Sequence, residues 1–126
     1  MVNKARGEVE IELNGKIWTG RLEYEDIAAI EAGTGRGLID IARSLETKTF
    51  RTVDIVAVLH SAIKDRPRPS VGTVGEWCRD KGVIKCADYA YELVIPALTG
   101  GVEDSGGAED AADAGESTAT SQSTTT

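Results

Sequence analysis

One dipeptide constrains this chain more than any other feature. Asn14-Gly15 separates two β-prone runs, Gly7-Glu8-Val9-Glu10-Ile11-Glu12-Leu13 and Lys16-Ile17-Trp18-Thr19-Gly20-Arg21-Leu22. A type I′ turn needs positive φ at both central residues, and Asn-Gly meets that need at least cost, so the two runs are predicted to form an antiparallel hairpin. A two-residue loop also sets the register, placing Leu13 opposite Lys16, Ile11 opposite Trp18 and Val9 opposite Gly20. One face then carries Val9, Ile11, Leu13, Trp18 and Leu22, and the other carries Glu8, Glu10, Glu12, Thr19 and Arg21. Ile17 falls on the polar face, either as a lone exposed apolar residue or as a contact for a partner.

A two-stranded hairpin is marginal alone in water, so its apolar face must be covered. The following segments read as helices. Tyr24 to Ala32 forms a short helix stopped by Gly33, and Leu38, Ile41, Ala42 and Leu45 keep amphipathic spacing after Gly37. Thr52 is expected to cap a third helix with the stripe Ile55, Val56, Leu59, Ala62 and Ile63, although its β-branched residues leave strand as a competitor. Pro67 and Pro69 make residues 64–70 an extended link. Thr73-Val74-Gly75-Glu76 reads as a capping box opening a fourth helix that Gly82 ends. The last helix spans about Lys85 to Thr99, with Pro96 expected to kink or shorten it before Gly100-Gly101.

Beyond this point the composition changes. Residues 103–126 hold six acids, no Lys or Arg, and nothing apolar larger than Ala, so they cannot bury enough surface to offset ordering entropy and are expected to be disordered. Setting those six acids aside leaves 15 acids against 14 bases in residues 1–102. A nearly neutral body lacks the basic field that non-specific nucleic-acid binding requires. No run approaches the ~18 apolar residues of a membrane span, and Met1 to Arg6 has no apolar core of a secretory signal. With only two cysteines, Cys78 and Cys86, the chain reads as a cytoplasmic protein with reduced thiols. The expected architecture is α+β: an N-terminal antiparallel hairpin packed on four to five short helices over residues 1–101, then an acidic Ser/Thr-rich tail over 102–126.

Little in the chain can carry chemistry. His60 is the only histidine, and Asp54, six residues earlier, lies on the wrong face of the same helix to orient it. Cys78 and Cys86 lack further ligands at zinc spacing and read as small buried hydrophobes, with a redox pair as the alternative. Gly33-Thr34-Gly35-Arg36-Gly37 follows a helix and misses the dinucleotide-binding spacing. Arg66-Pro67-Arg68-Pro69 reads as a linker, or as a short peptide ligand lacking P-x-x-P spacing. Trp77 belongs either to the core or to a partner contact. No catalytic, cofactor-binding or metal-binding residue emerges, and the candidate partner contacts are Ile17, Trp18 and Trp77.

Arg6-Gly7-Glu8-Val9-Glu10, Leu13-Asn14-Gly15-Lys16, Trp18-Thr19, Leu22 and a helix ending in Gly33-x-Gly35 resemble the gene transfer agent family of phage-type tail assembly proteins. The similarity is best over residues 6–45 and continues loosely through Phe50, Thr52-Val53-Asp54-Ile55-Val56 and the helix ending at Gly100. The link at residues 66–70 and Pro96 depart from the family pattern. The resemblance implies a non-enzymatic tail assembly chaperone of a prophage or gene transfer agent, acting in the bacterial host cytoplasm. Its implied partners are the tape-measure protein and the tail tube protein. A structural tail-tube subunit is the first alternative, and a small cytosolic adaptor unrelated to tails is the second.

Overall fold

A computed structural model of the chain describes residues 6–100. The tail expected to be disordered from residue 102 lies outside them. The described residues form the predicted α+β arrangement of one hairpin and five helices.

Strands β1 (Val9–Leu13) and β2 (Lys16–Gly20) pair in the register set by the turn: Val9 with Gly20, Ile11 with Trp18 and Leu13 with Lys16. Asn14 and Gly15 take φ of 55° and 73°, the positive values that a type I′ turn demands. Val9, Ile11, Leu13, Trp18 and Leu22 are all buried, while Glu10 and Glu12 are exposed.

Helix α1 (Tyr24–Thr34) opens on a reciprocal cap in which Asp26 accepts the Glu23 N–H at 2.8 Å. It runs two residues further than the sequence suggested. The left-handed residue that ends it is Gly35 (φ 72°), whose N–H reaches the Glu31 carbonyl, so Gly33 sits inside the helix. Helix α2 (Leu38–Thr47) buries Leu38, Ile41, Ala42 and Leu45 as predicted. Helix α3 (Thr52–Ala62) is a helix and not the competing strand, because its apolar residues recur with helical period on a face that several elements cover. Its N-cap is Arg51 and not Thr52, whose hydroxyl makes no capping bond.

Helix α4 (Val71–Lys81) also starts earlier than expected. Ser70 Oγ accepts the Thr73 N–H at 3.2 Å, which makes Ser70 the cap and moves Thr73 inside the first turn. Helix α5 (Val83–Thr99) begins directly after Gly82 and continues through Pro96 to Thr99. Pro96 has no N–H to give the Glu92 carbonyl one turn back, but it stands in the last turn of the helix, so only that one bond of the ladder is lost.

The core lies between the hairpin's apolar face and α3, α4 and α5, with Ile11, Leu13, Ile55, Leu59, Ile63, Val74 and Leu93 almost fully buried. Asp54 is the charged residue within it. Its carboxylate is fully buried and pairs with Arg36 (2.7 Å) and Arg51 (2.7 Å), tying the α1–α2 loop to the first turn of α3.

Candidate functional site

The hairpin is asymmetric at its two edges. The α3–α4 connection runs along the outer side of β2. There Lys64 N–H donates to the Thr19 carbonyl (2.9 Å), Arg21 N–H donates to the Ala62 carbonyl (2.9 Å), and Thr19 N–H donates to Asp65 Oδ1 (2.8 Å). Gly20 forms an isolated antiparallel bridge with Ile63. Because the N–H and carbonyl of Thr19 face away from β1, Thr19 and Glu10 form a non-hydrogen-bonded pair of the ladder. Glu10 must therefore turn its own backbone groups outward, and so must Glu12, two residues along. Among the described residues none hydrogen-bonds to them, so the outer edge of β1 is open.

Beside the start of that strand lies a groove of about 340 Å³ lined by Gly7 and Glu8, which lead into β1, by Val9, its first residue, and by Tyr91, Glu92, Ile95 and Pro96 from α5. No residue of β2 lines it, and it lies between the N-terminal end of β1 and the second half of α5. Tyr91 is 38 % exposed, and its hydroxyl donates to Glu46 at 3.2 Å, which pushes the phenol's pKa up. A wider cleft on the other side of Gly7 is lined by Arg6, Arg21, Glu23, Tyr24 and the end of α5. Arg21 there is already engaged, donating to the Arg6 carbonyl at 2.7 Å and to Glu23 at 2.9 Å.

The three candidate contact residues separate into two groups. Trp18 and Trp77 stack with centroids 5.6 Å apart and planes inclined by 29°. Trp18 is 7 % exposed and its indole N–H donates to the Leu13 carbonyl at 3.1 Å, so it serves first as core. Lys16 lies over the same ring, 4.0 Å from the centroid, and shields its solvent side. Trp77 is half-buried and reaches a small hollow with Asn14, Asp80 and Lys81 at the hairpin tip. Ile17 is on the opposite face of the hairpin and 59 % exposed, so it does not join the tryptophans.

The groups that could have carried catalysis stay apart. His60 packs near Arg68 and Pro69, and burial, with the Arg68 charge adding to it, lowers its pKa. Cys78 and Cys86 are both free and fully buried, with the Cys86 thiol directed at the Cys78 carbonyl (3.9 Å). The neighbouring Cys86 sulfur and burial push the Cys78 thiol up, which keeps it protonated. Among the described residues no cluster of three or more His, Cys, Asp or Glu side chains is arranged to hold a metal ion. None of their helices is long and apolar enough to cross a membrane.

That a hairpin edge could accept a strand follows from the sequence, but the groove does not. The alternation of Glu8, Glu10 and Glu12 showed which face is wet, but which edge is free depends on where residues 62–65 return.

No curated protein and no solved structure matches the chain. One protein family does, over residues 6–100, which is the whole of the hairpin and the five helices. The chain thus belongs to the family described as phage tail tube protein, GTA-gp10.

Proposed function

We infer that this protein is a non-enzymatic tail assembly chaperone of a prophage or gene transfer agent, working in the cytoplasm of the bacterial host. In this reading it binds the tape-measure protein and assists polymerisation of the tail tube. The observation that carries the reading is the capped edge of β2. A wall built by continuing one sheet from subunit to subunit needs two free edges on each copy, one to give and one to receive. Here Thr19 and Arg21 of β2 are already bonded to Ala62, Lys64 and Asp65, so the hairpin can accept a strand on one side only. Five-residue strands also offer little β-surface for a tube wall.

The second reading is a structural tail-tube subunit, and the family's own description favours it. The two differ in what the purified chain does alone. A chaperone stays in discrete small particles when concentrated, whereas a tube subunit forms rings or long polymers. Negative-stain electron microscopy of the concentrated 126-residue chain separates them. Tubes or stacked rings would overturn the chaperone reading.

A further inference from the structure

We propose that the open edge of β1, together with the groove beside it, receives an extended segment of a partner protein in which apolar and basic side chains alternate. The proposal concerns the surface and the chemistry of its occupant, and it holds whichever tail component supplies the segment.

Three features define the site. The outward N–H and carbonyl groups of Glu10 and Glu12 have no partner among the described residues, and they lie on a strand about 17 Å long, enough to pair with a short segment. An added strand would point alternate side chains inward, over the groove formed by Tyr91, Ile95 and Pro96, where apolar groups are buried best. Its other side chains would point outward beside the exposed carboxylates of Glu10 and Glu12, where Lys or Arg is favoured and Asp or Glu is repelled.

The same charges exclude the occupants nearest to hand. A second copy pairing β1 with β1, in any register that keeps Val9, Ile11 and Leu13 on the covered face, sets Glu against Glu on the outer one. Residues 103–126 carry six acids and no base, so this chain's own C-terminal segment is repelled as well. The edge is thus guarded against its own kind and open to a strand of opposite charge.

The probe is an acetylated, amidated peptide of sequence Lys-Val-Lys-Val-Lys-Ile-Lys, titrated into the full chain. Amide hydrogen exchange is followed by NMR. The Glu10 and Glu12 amides, which bond to no other described residue, should exchange at least about tenfold more slowly at saturation. The double variant Glu10→Lys/Glu12→Lys changes two exposed side chains and should weaken the peptide roughly tenfold. Absence of binding overturns the proposal. So does binding whose spectral changes are confined to residues 103–126, or binding that leaves Glu10 and Glu12 exchanging at the free rate. Protection of the two amides in the peptide-free protein that rises with concentration, together with a dimeric mass, would assign the edge to a second copy and overturn it too.

Discussion

Gly20 shows how one residue can decide the seating of the hairpin. It stands opposite Val9 on the buried face, and a β-carbon there would lie 2.5 Å from Ile11 Cδ1 and 3.3 Å from Leu93 Cδ2. Both neighbours are buried in the core and have little room to yield. Gly20→Ala is therefore expected to cost about 1–3 kcal/mol of stability, through overpacking and not through backbone strain. The shift in urea midpoint at unchanged slope measures it. Nothing in the sequence distinguished this glycine, because the need for it arises from how the buried Ile11 side chain packs against β2, with Leu93 of α5 beside it.

His60 gives a pH signature at the same scale. Its pKa is lowered in the folded protein by burial and by the Arg68 charge, so the native state holds this proton less tightly than the unfolded chain does. The stabilising contribution is present above the unfolded value, about 6.5, and is lost as pH falls through the lower native one. Stability should therefore fall as pH is lowered through about 6.5, and His60→Gln should flatten that fall. Denaturant titration of both proteins across this window reads the difference. Asp54 was legible in the sequence only as an unsuitable partner for His60. Its real partners, Arg36 and Arg51, were hidden because pairing with Arg36 depends on how the α1–α2 loop folds back.

Among the elements, those with a strong local signal were read correctly. The hairpin register followed from Asn14-Gly15 alone, and the buried stripes of α2 and α3 followed from their periodicity. Ends were harder, because several nearby residues could serve as a cap. Ser70 and Thr73 both carry a hydroxyl three residues before a possible helical N–H, and it is Ser70 that accepts, with Val71 and Gly72 already helical before Thr73. Ser70→Ala should cost about 1 kcal/mol, while Thr73→Ala should cost clearly less. Thermal or chemical unfolding of the two variants would confirm which hydroxyl caps α4. The edge of the hairpin belongs to this scale as well, since closure of β2 depends on the path of residues 62–65 and not on either strand.

At the scale of the whole molecule, the α+β architecture could be read from the sequence, and so could the family. Which edge of the hairpin is closed, and the groove beside β1, could not. Of the residues selected for partner contact, Trp18 and Trp77 are stacked together at the hairpin tip with Trp18 buried, and Ile17 lies alone on the outer face. Aromatic content points to an interface or to a core with equal force, whereas an unpaired strand edge is a property of the assembled fold. One capped edge and one open edge suit a protein that takes hold of a partner and does not extend itself into a lattice.

In the proposed role this chain holds a tape-measure protein during tail assembly. Co-expression of the full chain with a tape-measure protein, followed by size exclusion with mass detection, tests that role. The tape-measure protein is expected to elute with this chain in a discrete complex of defined mass, and in higher soluble yield than when it is expressed alone. A tape-measure protein that stays insoluble, with this chain eluting by itself or as long polymers, would contradict it.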